Sequence, residues 1–115
     1  MTLGEVITRD GAACVWCGRQ VWRRDMTLEH LLPRSRGGRG IPENLTVACR
    51  SCNRRRRSGS VVAYVRERAR AGDEPVTRVL REALIRLSGS ASRPHAEYGR
   101  RQLALLERSG FANVD

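Results

Sequence analysis

The sequence predicts an α+β fold: a small, turn-rich N-terminal half with two short strands, stapled by four cysteines, then C-terminal helices. Three observations carry this. The cysteines fall in two C-x-x-C pairs, Cys14 with Cys17 and Cys49 with Cys52. Strand-like stretches and Gly/Pro-rich turns lie between the pairs. Beyond "RRRRSGS", residues 54–60, apolar residues recur at helical spacing. The expected division is a core over 1–59 and a helical extension over 60–115, packed on or beside it.

Each element has its own signal. "GEVITRDG" reads as a short helix or lead-in that stops at Gly11, and "CVWCG" as a tight turn. "RQVWRR" and "MTLEHL" read as the two strands, with β-branched or aromatic residues near alternate positions. "PRSRGGRGIP" is a loop. "PENLTVACRSCNRRRR" reads as a return to helix, Pro42 and Glu43 suiting a first turn. Val61, Val62, Val65 and Ala69 form the next stripe, stopped by Gly72, and Asp73 is a candidate cap. Val76, Val79, Leu80, Ala83, Leu84 and Leu87 form a clear apolar face that ends at Gly89. A last helix begins at Ser92 or Arg93, carries Tyr98, Leu103, Leu105 and Leu106, and closes at Gly110. Nothing in these stripes suggests chemistry.

The bulk properties bound the function. A chain of 115 residues with 4% aromatics suggests one domain with a modest core, which a metal staple would help. Net charge is +10 and the pI near 11.2. The 22 basic residues are all arginine. A GC-rich genome would produce that bias without functional meaning, yet arginine forks grip phosphate in bidentate fashion. A partner rich in phosphate is the natural reading, with a solvated basic surface, a ribosomal-type module or a protein-binding module as alternatives. No apolar run is long enough to span a membrane. "MTLGEVITRDG" does not read as a secretory signal, so a cytoplasmic protein is expected.

Two C-x-x-C turns aim four thiolates at one point, the tetrahedral arrangement zinc prefers. In a cytoplasmic chain this reads as metal rather than disulfide; a thioredoxin-like redox pair or unlinked thiols are the alternatives. Four thiolates leave no open position, so Cys14, Cys17, Cys49 and Cys52 would hold a structural ion. Residues 18–48 become a closed loop, and any catalysis must lie elsewhere.

That loop contains "LEHLLPRSRGG", residues 28–38, with Glu29 and His30 on the second expected strand. Asn44 begins the next segment, and Asn53 follows the last cysteine. Phosphodiester hydrolysis needs a base to activate water and positive charge near the developing oxyanion. A neutral imidazole suits the first task, and a hard divalent ion held by carboxylate and amide oxygens suits the second. Neighbouring residues on a strand point to opposite faces, so Glu29 and His30 need a twist or bulge to serve one phosphate.

The order C-x-x-C, E-H-x-x-P-x-S-x-G-G, N-L, C-x-x-C-N resembles the HNH endonuclease family, in its zinc-bearing form with a ββα-metal (His-Me) finger. The resemblance covers roughly residues 5–58 and implies a cytoplasmic, bacterial or phage-encoded enzyme that cuts DNA with Mg2+ or Mn2+. It implies His30 as general base, Glu29 and Asn53 as ligands of the catalytic ion, and Asn44 as a pin for the loop that orients His30. Glu29 stands where the family most often has Asp, and arginines stand where many relatives carry a lysine. Arg34, Arg36, Arg39 and the run Arg54, Arg55, Arg56, Arg57 are the expected DNA contacts. Trp16 and Trp22 would stack on bases or pack on the cysteine turns, and His95 is expected to be exposed and uninvolved. A non-catalytic zinc module that binds nucleic acid is the competing reading, and a protein-interaction domain the third. A second copy of the chain or a phage or mobile-element protein is an open partner.

Overall fold

The computed structural model describes residues 1–110, so the last residues of the expected extension, 111–115, lie outside the described residues. Helix α1 spans Leu3–Asp10. Thr2 and Glu5 form a capping box, which satisfies two N–H groups the first turn would otherwise leave unpaired. Gly11, at φ 94°, ends the helix as expected. Arg9 then donates to the carbonyls of Pro42 and Leu45, pinning α1 to the middle of the chain.

The two strands are not both where the sequence pattern suggests. "MTLEH" is strand β1, Met26–His30. "RQVWRR" is not a strand: Gln20 makes an isolated bridge with Ala13, and Arg23–Asp25 is a 3-10 turn. Its alternation reflects a loop whose Val21 is half-buried and whose Trp22 is exposed. The partner strand is instead β2, Leu45–Cys49, inside the stretch expected to be helical. Pro42–Asn44 is only a 3-10 turn before it. Every residue of β2 is buried, so "LTVAC" shows no alternation, and a short apolar run of this kind is ambiguous between strand and helix. β1 and β2 pair antiparallel in unbroken register from Met26 opposite Cys49 to His30 opposite Leu45.

Helix α2, Arg50–Arg56, follows β2 directly and lies against both strands. Helices α3 (Val61–Arg70), α4 (Thr77–Ser88) and α5 (Arg93–Arg108) complete the chain. The valine and leucine stripes of α3 and α4 are buried as expected. Asp73 does not cap α4; it pairs with Arg19 and Arg68 and ties the first cysteine turn to the end of α3. On α5 the buried face is His95, Tyr98, Gly99, Gln102 and Leu106, while Leu105 is exposed. This face supplies what Ser60 does not: Val61 N–H donates to Tyr98 Oη and Val62 N–H to Gln102 Oε1, capping α3 from another helix. At Gly99 helices α4 and α5 approach so closely that a Cβ would lie 2.8 Å from Ser88 N.

The main core crosses the boundary drawn at residue 59. Cys14, Trp16, Leu31, Cys49, Val61, Tyr64, Leu80, Leu84, Tyr98 and Leu106 belong to one buried cluster. A smaller cluster under α1 joins Val6, Met26, Leu45 and Val47. No helix among the described residues is long and apolar enough to cross a membrane.

Candidate active site and cysteine metal centre

The cysteine centre is built from two turns on different elements. Gly18 N–H donates to Cys14 O, closing the first turn. Gly18 takes φ 79° and leaves no room for a side chain, because a Cβ would lie 2.1 Å from Glu74 O. The second turn runs from the end of β2 into α2, and Cys52 N–H points at Cys49 Sγ, 3.4 Å away. The four Sγ atoms lie within 4.8 Å of one another, and all four residues are buried. Tetrahedral zinc–thiolate geometry puts sulfurs about 3.8 Å apart, so one ion could be held with a small contraction. The Cys14 thiol is lowered to about 5, chiefly by the adjoining Cys52, while burial pushes Cys17 up to about 11. Beside Cys52 sits the buried hydroxyl of Tyr64, which has no nitrogen or oxygen partner among the described residues and faces the thiol instead. A metal-bound thiolate there would accept from that hydroxyl. The donor set therefore fits zinc.

The second constellation surrounds β1. Because the register has no bulge, alternate residues keep to opposite faces. Thr27 and Glu29 face α2. Thr27 Oγ1 accepts from Asn53 Nδ2 at 2.8 Å, and Glu29 meets Arg56, one turn further along α2, at 3.4 Å. Glu29 is only 5% exposed and its carboxylate is crowded with donors: Trp16 Nε1–H at 2.9 Å, Arg56, and the backbone N–H of His30 at 3.1 Å. Burial raises its pKa, against the opposing pull of Arg56. The twist or bulge that would bring Glu29 and His30 to one phosphate is therefore not present. Glu29 is turned into the core, and no twist brings it round.

His30 lies at the other face and the open end of the strand, half-buried. Its Nε2 is 3.5 Å from Arg34 Nε, and a Cβ on Gly40 would lie 3.8 Å from the same nitrogen. Burial lowers its pKa, and the charges of Arg34 and Arg56 lower it further, which favours the neutral imidazole. Asn53 donates to Thr27 and to Leu28 O, leaving its Oδ1 without a hydrogen-bond partner among the described residues. Asn44 is fully buried: its Oδ1 accepts from Leu32 N–H and its Nδ2 donates to Leu32 O and Arg39 O. It thus fastens both arms of the loop that follows His30. Gly38 permits that loop to fold back, since a Cβ there would lie 1.7 Å from Leu32 O.

The arginines divide. Arg34, Arg36, Arg39, Arg54, Arg55 and Arg57 are exposed, and Arg54, Arg55 and Arg57 line an open groove with Glu67. Arg56 does not belong with them. It is 3% exposed, donates to the carbonyls of His30, Leu31 and Gly59, and stacks on Trp16 at 4.9 Å. A buried arginine satisfied in this way cannot reach a phosphate backbone. Spacing carried a signal for it: Arg56 stands four residues after buried Cys52 on the same face of α2. Trp16 is buried edge-on against Tyr64, whereas Trp22 is 73% exposed beside Arg24. His95, expected at the surface, is 1% exposed, and its spacing of three from Tyr98 placed it on the buried stripe of α5.

Compared with known proteins, residues 14–61 match a family model described as HNH endonuclease. No curated protein matches the chain at a significant level.

Proposed function

We propose that the protein is a metal-dependent endonuclease that hydrolyses phosphodiester bonds in DNA, a reading supported by the match of residues 14–61 to the HNH endonuclease model. The observation that carries the proposal is the state of His30: a half-buried, neutral-leaning imidazole at the open end of β1, among exposed arginines and beside a loop fastened by Asn44. His30 is the general base that takes a proton from the attacking water. Arg34, Arg36 and Arg39 on the loop, and Arg54, Arg55 and Arg57 on and after α2, neutralise the phosphates on either side. Asn44 acts through the loop backbone and touches no substrate.

A bound Mg2+ or Mn2+ would neutralise the scissile phosphate and stabilise the leaving oxygen. Asn53 fits the ion, because its Oδ1 is a hard oxygen donor without a partner. Glu29 fits less well. As folded it serves Trp16 and Arg56, and its part as a ligand requires the Arg56 pair to open. The four cysteines hold a structural zinc away from the reaction, with 1–59 as the nuclease unit and 60–115 as its support. A second reading rests on that state of Glu29: a non-catalytic zinc module that binds nucleic acid, in which the Glu29–Arg56 pair is permanent.

The test compares the zinc-loaded protein with its His30→Ala variant on supercoiled plasmid with Mg2+ or Mn2+. Loss of cleavage by about 10^2- to 10^4-fold with an unchanged melting temperature is expected. Equal cutting by both would remove His30 as the base. Binding without nicking by the wild type at any metal concentration would establish the module instead.

A further inference from the structure

The loop beside His30 is held from the C-terminal half by a side chain that no part of the nuclease reading uses. His95 lies in the first turn of α5 and is 1% exposed. Its Nε2 accepts the backbone N–H of Arg39 at 3.0 Å, and its Nδ1 lies 2.7 Å from Ser92 Oγ. A ring nitrogen that accepts carries no proton, so the network assigns a neutral ring with its proton on Nδ1, toward Ser92. The carbonyl of the same Arg39 accepts from Asn44 Nδ2 at 2.9 Å. Both backbone polar groups of one loop residue, Arg39, are thus bonded by buried side chains, one from each half of the chain. The next residue, Gly40, is the one that abuts the His30 ring. Packing alone would be served by any apolar residue at position 95. A histidine there adds an acceptor aimed at one backbone N–H.

We propose that His95 is a positioning residue, which with Asn44 clamps Arg39 so that the loop carrying Arg34, Arg36 and Arg39 is presented to a phosphate backbone in fixed relation to His30. The effect on turnover rests on the nuclease reading; the effect on affinity requires only that the protein binds DNA. Phenylalanine fills the space of the ring without the acceptor, whereas glutamine can place Oε1 near the position of Nε2.

The experiment uses the full zinc-loaded chain as wild type, His95→Phe, His95→Gln and Ser92→Ala. It measures amide exchange over residues 34–40, affinity for a labelled DNA duplex, and kcat and KM with Mg2+. In the folded Phe variant, faster exchange at Arg39, several-fold weaker duplex binding and a kcat lowered about 10- to 100-fold are expected, the size that loose positioning of reacting groups produces. The Gln variant should recover most of each. Unchanged exchange, affinity and kcat in the Phe variant would overturn the proposal, and so would equal losses in the Phe and Gln variants, which would mark packing alone. If the Phe variant does not fold, Ser92→Ala decides: a smaller shift in the same direction supports the clamp, and no shift removes it. A wild type that binds the duplex without cutting ends the nuclease reading, and the affinities of the variants then judge the clamp. A wild type that neither binds nor cuts overturns both.

Discussion

The cysteine centre and the His30 end of β1 lie in the same small fold but are built in opposite ways. At the cysteine centre four identical groups converge, all buried, and the surrounding core draws on both halves of the chain. At the His30 end the groups differ in kind and are split between the two faces of one strand. One of them, Glu29, is absorbed into the core by an arginine expected to face solvent. A site whose ligands must all touch one ion constrains the fold around it. A site whose members act in turn on a substrate tolerates distribution, and its apparent members can be diverted to stability.

The sharpest way to break this comparison is to remove the metal. Structural zinc in small domains contributes about 10–16 kcal/mol of apparent binding energy, which is also folding energy. Treatment with a strong chelator, or Cys52→Ser, should abolish cooperative thermal unfolding followed by circular dichroism at helical wavelengths. The loss should include α3 and α4, since Val61, Tyr64 and Leu80 share the cluster with the cysteines. Helices that melt unchanged without metal would show the C-terminal half to be independent of the centre.

Next in size is the buried pair. Arg56→Met leaves the Glu29 carboxylate in the core without its cation, and breaking a buried ion pair from one side costs about 3–5 kcal/mol. Arg54→Met, on the exposed side of α2, should change stability by less than about 0.5 kcal/mol. Urea unfolding of the two variants measures the contrast, and equal midpoints would return Arg56 to the surface set.

The smallest effect sharpens the role of His30. In the proposed role His30 works as a base only when neutral, and burial with the charges of Arg34 and Arg56 lowers its pKa from the ordinary 6.5. Cleavage should therefore rise with pH through a midpoint below 6.5 and be lost on acidification through that midpoint. Arg34→Gln removes one of the positive neighbours and should move the midpoint upward, whatever it does to substrate affinity. A midpoint above 6.5 in the wild type would contradict the environment described for His30.

How much of this was legible in the sequence differs element by element. α1, β1 and the three C-terminal helices carried clear signals: a glycine stop, an alternation, a stripe at helical spacing. β2 did not, because a fully buried strand loses the alternation that marks strands, and the proline before it imitates a helix start. His30, Asn44 and Asn53 stood out as candidates from their order around the cysteine turns. The diversion of Glu29 was legible only as a conditional: without a bulge, neighbours on a strand must part.

The sequence by itself determined the four-cysteine cluster, because two C-x-x-C turns with no cysteine left over admit few arrangements, and the charge, because composition is independent of fold. Only the tertiary structure decided what the buried Arg56 pairs with, where Glu29 points and what His95 holds. Those outcomes depend on strand register and on contacts between residues as far apart as Arg39 and His95. Local spacing encodes the faces of one element, and it carries no information about which face of another element will arrive against it.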